Sequence, residues 1–291
     1  MKLKTKRLNN RTNKGNKGRK KSRLLLIFGA LITLVMVTIG LVSIFWIPLD
    51  VNESDPSIRM LPIGTPGYLF GTDFLGRDMT SMLMAGVRTS IIIGACSTFL
   101  ALIIGTLLGV LAASVSKLDE PIMRTADIFM AMPGIIFALV LASTIGAGYL
   151  TTILALASFF TPAFVRVTRA SAMRVLAEDY ISVARLYGRS RTFITFRHVL
   201  PNISSILIVQ FTIYFAAGIL SEAGLSFLGV GINRPSVSLG MMLKEAVEQI
   251  GITDPLGVWP GLGIVILVIG LNLMGDGLRD YFDPRFSQRA R

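Results

Sequence analysis

Six stretches of this chain run without one charged side chain: Leu24 to Trp46, Ser90 to Ala113, Ile128 to Ile145, Leu150 to Val165, Ile203 to Leu220 and Val258 to Leu273. At about 1.5 Å rise per residue, runs of this kind have the length a helix needs to cross a hydrocarbon layer about 30 Å thick. Only 16% of the residues are charged, against about 25% in an average soluble domain. The sequence therefore predicts an all-α, polytopic membrane protein with six transmembrane helices. The first run is too long for a signal-peptide core, and no small-residue cleavage site follows it, so an uncleaved first helix is expected. The fourth contains Pro162 and is expected to be irregular.

Basic residues set the direction, because they are retained on the cytoplasmic side. Eleven of the 29 lysines and arginines lie between Lys2 and Arg23, with no acid among them. A basic arm of this kind could bind nucleic acid, but its position against an apolar span makes it an orientation signal that also favours anionic lipid. With residue 1 inside, segments 47–89, 146–149 and 221–257 fall outside, and 114–127, 166–202 and the C-terminal tail fall inside. Segment 166–202 holds seven arginines against two acids, whereas 221–257 holds Arg234 and Lys244 against four acids. The organisation expected is a cytoplasmic tail 1–23, a first helix 24–46, an outer loop 47–89, a five-helix core 90–275 with a cytoplasmic loop 166–202, and a tail 276–291.

The spans lack the ionisable residues that ion-coupled transporters and charged channel filters place at membrane depth. A transporter or channel working alone is disfavoured on that ground, and energy from another subunit is expected. The single cysteine, Cys96, lies in an apolar run and is expected to be a small packing residue. The single histidine, His198, lacks acidic or thiol neighbours for a metal site or a nucleophilic triad. Gly105 and Gly109 form a G-x-x-x-G pair, expected to pack helices within this chain rather than to form a specific dimer face.

From Arg166 to Asn202 the chain is too long and too regular for a loose loop. Met173, Leu176, Tyr180, Val183 and Ala184 recur at helical spacing, which predicts one docked face with Arg174 and Arg185 exposed. Gly188 interrupts the pattern and suits a left-handed turn into a second short helix, Arg191 to His198, which Pro201 ends. The product is a helix, turn, helix with arginines at its tip.

This stretch resembles the EAA loop of binding-protein-dependent ABC importers, and more narrowly the dipeptide, oligopeptide and nickel permease family. Tyr180, Ala184, Arg185, Gly188, Phe196, Arg197, His198, Leu200, Pro201 and Asn202 match the family pattern. Ser182 stands where the family has glutamate and Val183 where it has alanine; Glu178 and Asp179, one turn earlier, are candidates to replace that anchor. The resemblance implies that Ser182, Val183, Ala184, Arg185, Gly188, Arg189 and Ser190 couple to an ATPase subunit, with Tyr180, Arg197, Pro201 and Asn202 anchoring the loop.

Two outer motifs extend the likeness. GTDFLGRD holds Gly71, Asp73, Gly76, Arg77 and Asp78, whose glycines suit a compact turn and whose charges are expected to lock it, with contact to an external partner as the other reading. EAGLSFLGVG holds Glu222, Ser226, Phe227 and Gly229, and is expected either to dip toward the translocation path or to form a packed turn. NLMGDGLRD, from Asn272 to Asp280, completes a colinear resemblance that runs from Gly71 to Pro284. By resemblance, this is a type I ABC importer transmembrane domain in the cytoplasmic (inner) membrane. It forms half of a pathway for peptides, nickel or a metal chelate. Its implied partners are a second homologous permease, two ATPase subunits, a solute-binding protein and the bilayer, with no nucleic acid. It has no Walker A sequence, so no cofactor is expected in this chain; ATP and magnesium would sit on the partner subunits, and the chain itself is expected to be non-catalytic. A self-standing secondary transporter and a membrane-anchored interaction protein are the alternatives.

Overall fold

The computed structural model describes residues 2–249 and 257–282, with side chains from Arg23 onward. Ten α-helices are described: α1 Lys2–Phe45, α2 Met79–Ser114, α3 Ser116–Ala131, α4 Gly134–Ile145, α5 Tyr149–Leu176, α6 Asp179–Leu186, α7 Arg191–Ile194, α8 Leu200–Phe227, α9 Leu239–Glu248 and α10 Val258–Phe282. Five are long and apolar enough to cross a membrane: Arg23–Phe45 of α1, α2, α5, the continuous Arg191–Phe227 segment and α10. Residues 1, 250–256 and 283–291 lie outside the described set, and with them part of the outer loop 221–257, most of the tail 276–291 and the end of the family likeness at Pro284.

The sixth crossing differs from expectation. In place of one helix over Ile128–Ile145, α3 and α4 meet at a break bent by 89°. Pro133 explains it: a proline ring pushes the preceding residue out of the helical region, and Met132 is extended, at φ −86° and ψ 131°. At 12 residues, α4 alone is about 18 Å long, too short to span.

Neighbouring helices show that the bent pair nonetheless makes one crossing. α2 and α5 run parallel: Thr89 meets Tyr149 hydroxyl to hydroxyl at 2.9 Å, Gly105 faces Phe164, and Gly109 faces Thr168. Two parallel spans require the chain to return between them, and α3 with α4 is the segment that returns it. α8 runs antiparallel to α2, with Glu222 at Ser90 and Ile219 at Gly94. α10 runs antiparallel to α1, with Gly277 at Leu26 and Gly270 at Thr33, and its Gly275 meets Thr212 of α8. The crossings therefore alternate as the basic-residue distribution requires.

Close approach rests on glycine. A Cβ on Gly105 would lie 2.4 Å from Cβ of Phe164, and one on Gly109 would lie 2.6 Å from Cβ of Thr168. The G-x-x-x-G pair thus packs α2 on α5 inside this chain. Ile93, Phe160, Phe164 and Ile203 form one buried cluster, and Met82, Ile219, Leu239 and Leu271 a second. Pro162 stands inside α5 without ending it. Cys96 is exposed, on an outward-facing stripe of α2 with Phe99 and Leu107, so it does not pack inside this chain as expected.

Candidate functional site: a cytoplasmic tip and an outer junction

The arginine-rich segment is mostly helix. α5 runs on to Leu176, so the expected stripe from Met173 to Ala184 belongs to two helices separated at Ala177–Glu178. That stripe is not the docked face. Met173, Tyr180 and Val183 are exposed, and the fully buried residue of α6 is Ile181, which joins Ile194 and Val199 in the α2–α5–α8 core. Ile181 was not singled out from the sequence because it sits one residue beyond Tyr180 and a single helical phase was assumed through the break.

α6 ends in a Schellman turn. Gly188 is left-handed, at φ 71°, its N–H donates to Arg185 O at 3.0 Å, and Arg189 N–H donates to Ala184 O at 3.2 Å. Ser190 then caps α7 by accepting from Phe193 N–H at 3.2 Å. Along this tip Ser182, Val183, Arg185, Arg189 and Ser190 are exposed and Ala184 is half-buried. Leu186 and Tyr187, apolar and aromatic, are 86% and 82% exposed.

The second helix runs on past the end expected at Pro201. α7 covers Arg191–Ile194, one π-helical turn follows over Thr195–Val199, and α8 begins at Leu200. Pro201 sits in the first turn of α8 rather than ending its predecessor; the π turn just ahead of it, where Leu200 N–H donates to Thr195 O, lets the helix pass a ring that has no N–H to give. His198 lies between the rings of Tyr180 and Phe193, with centroids 5.8 and 5.9 Å away. Asn202 donates to His198 O at 2.7 Å and faces the Tyr180 hydroxyl at 3.4 Å. Arg197, Glu178 and Asp179 make no ion pair among the described residues, and within this chain the buried Ile181 and Ile194 hold the loop against the core.

On the outer side, GTDFLGRD closes on itself. Gly71 and Gly76 are left-handed, and a Cβ at either would strike a backbone carbonyl, Leu61 O or Asp55 O. Asp73 accepts Arg77 N–H at 2.8 Å and pairs with its guanidinium. Arg77, 1% exposed, reaches on to Glu245 of α9 at 2.9 Å, and Glu245 also holds Arg234. Burial pushes the Glu245 carboxyl above the usual glutamate range, against the pull of Arg77. Asp78 caps α2, accepting from Ser81 N–H at 2.8 Å; the expected start of that helix at Ser90 was late because the helix extends beyond the apolar run.

EAGLSFLGVG does not dip back as a separate segment. Glu222, Ser226 and Phe227 are the last turns of α8, and Gly229, left-handed, turns the chain out of it. Glu222 is fully buried and is held by the hydroxyls of Ser90 at 2.6 Å and Ser226 at 2.8 Å. Glu222 therefore sits on α8 just beyond the apolar run Ile203–Leu220, which carries no charged side chain, as expected. No cluster of three or more histidine, cysteine or acidic side chains able to hold a metal is present among the described residues.

Three comparisons bear on this arrangement. Residues 105–288 match the family described as Binding-protein-dependent transport system inner membrane component. The Di/tripeptide transport system permease protein DppC of Pseudomonas aeruginosa is 39% identical over 268 residues, covering 90% of this chain and 88% of the relative. The Glutathione transport system permease protein GsiD of Pectobacterium atrosepticum is 34% identical over 260 residues, covering 89% and 86%. The fold is similar to that in inward-facing structures of the MetNI methionine ABC transporter, with a TM-score of 0.58 at 20% identity over 73% of this chain and 98% of that chain.

Proposed function

This chain belongs to the family of binding-protein-dependent transport system inner membrane components and is the multi-pass permease subunit of an ABC importer; from that premise we propose that it carries short peptides and is driven through the α6–Gly188–α7 tip. Cargo is the finer part of this reading. Relatives whose names specify di- and tripeptides or glutathione match along nearly the whole chain, and the absence of a donor cluster among the described residues offers no foothold for a bare metal ion. A second permease completes the pathway, two ATPase subunits engage the cytoplasmic tips, and an outer solute-binding protein delivers the peptide. ATP and its magnesium reside on those ATPase subunits, and this chain performs no covalent chemistry.

The observation that carries the coupling role is the tip itself. Leu186 and Tyr187 are almost fully exposed beside a well-formed turn, and large apolar side chains on a cytoplasmic projection mark a surface that a protein partner covers. Arg185 and Arg189 flank them, which suits an acidic rim around an apolar socket. ATP binding would then move the tip and, through α5 and α8, shift the membrane helices between two states. Affinity purification of the tagged chain from its native membrane tests this. An ATPase subunit should copurify with the wild type and be lost with Leu186→Asp; an ATPase retained by that variant at wild-type yield contradicts the assignment.

A further inference from the structure

Glu222 occupies a position that the transport reading leaves without a task. Its carboxylate accepts from Ser90 of α2 and Ser226 of its own helix, and Ser238, the N-cap of α9, lies beside it. Ser226 passes the contact on, accepting Ile232 N–H at 2.9 Å in the turn that follows α8. One buried acid thus gathers α2, α8, the turn after it and the start of α9.

The surrounding backbone is equally tight. A Cβ on Gly240 would lie 2.3 Å from Ala223 O, one on Gly231 2.4 Å from Ser226 Oγ, and one on Gly86 3.1 Å from a Leu239 methyl. The other end of α9 is held too, because Glu245 binds Arg77 just ahead of α2. Burying a carboxylate away from water is costly, and an apolar side chain of similar size often serves stability as well or better. No cation among the described residues faces Glu222, so the hydroxyls of Ser90 on α2 and Ser226 on its own helix are what satisfy it.

α4 presents the opposite picture. Ala138 is its one buried residue, it packs chiefly on α5, and it is joined to α3 by the bend at Pro133. α3 itself is tied to α5 by Arg169 on Asp119 and Arg166 on Asp127.

We propose that Glu222 is a positioning residue for transport: it pins the outer ends of α2, α8 and α9 into one rigid block, so that outward opening is carried by α4 turning at Pro133. This rests on the permease reading above. The block holds together because Glu222 bonds α8 to α2 and α9 packs on both, Gly240 against Ala223 O of α8 and Leu239 against Gly86 of α2.

The test is a pair of disulfides in a Cys96→Ser background, with the chain assembled with its partner subunits in proteoliposomes and fed a tritiated mixture of di- to pentapeptides. Gly86→Cys with Leu239→Cys joins α2 to α9 inside the block, and Gly134→Cys with Phe159→Cys joins α4 to α5. Oxidation should leave uptake by the first pair within about twofold of its reduced form, and should lower uptake by the second at least tenfold, reversibly with reductant. Glu222→Ala should lower the peptide taken up per ATP hydrolysed at least fivefold, with Glu222→Gln restoring most of it. A merely stabilising role changes the yield of protein and leaves that ratio intact. Blocked uptake in the oxidised first pair, free uptake in the oxidised second, or an unchanged ratio in Glu222→Ala overturns the proposal. Absent ATP-driven uptake by the unmodified complex overturns the permease reading instead.

Discussion

Arg77 donates to Glu245 at 2.9 Å across 168 residues of chain, so the motif that precedes α2 is fastened to the helix that precedes α10. Arg77 is buried and is also the counter-ion of Asp73. Arg77→Met leaves two carboxylates facing an unfilled cation site, a loss of about 3–5 kcal/mol when one partner of a buried pair is removed. Thermal unfolding in detergent should show it as a marked fall in Tm. The triple change Asp73→Asn, Arg77→Met, Glu245→Gln should lose less than Arg77→Met alone.

Asp78 is the cap of α2, accepting from Thr80 and Ser81 N–H groups at 3.2 and 2.8 Å. Asp78→Ala orphans those donors and should cost about 1 kcal/mol, while Asp78→Ser should cost only part of that. The same unfolding measurement reads both.

Gly105 and Gly224 make a contrasting pair. A Cβ on Gly105 meets the Phe164 side chain and Thr161 O of α5, whereas one on Gly224 meets nothing within 4 Å. Gly105→Ala must push α2 from α5 and should destabilise by about 1–3 kcal/mol. Gly224→Ala should be neutral or stabilising by up to about 1 kcal/mol, through helix propensity.

These contrasts also show what the sequence disclosed. The apolar runs identified six crossings, because absence of charge over a bilayer's width has one physical solution. They did not reveal the bend, since Met132–Pro133 is itself apolar and a hydropathy count cannot see a missing N–H. Helix ends were misjudged in one direction, at Asp78, Leu176 and Phe227, because helices continue past the hydrocarbon layer where the pattern changes from apolar to amphipathic. Gly188 was legible, as a glycine closing a helical repeat. Glu222 was visible as a motif residue but not as a buried one: its partner Ser90 comes from another helix, and such convergence leaves no mark in local spacing. The loop anchor at Ile181 was missed because the break at Ala177–Glu178 resets the helical phase.

Gly188 gives the sharpest separation of folding from coupling. It holds φ 71° and has no atom within 4 Å of its missing Cβ, so Gly188→Val meets no clash and suffers only the left-handed backbone penalty of about 1–2 kcal/mol. The turn should reorganise while the spans stay inserted. Membrane yield should match wild type, with peptide uptake and peptide-stimulated ATP hydrolysis both reduced at least tenfold. Gly188→Asn, which tolerates the same conformation, should retain most of both.

This chain should move solute only when another subunit supplies the energy. Proteoliposomes holding the chain alone, or assembled with its second permease, ATPase subunits and peptide-loaded binding protein, measure it through uptake of the tritiated peptide mixture with and without ATP. Uptake in the full assembly should require ATP hydrolysis, and the chain alone should show none. Peptide uptake by the isolated chain, driven by a proton or sodium gradient without any ATPase, would contradict it.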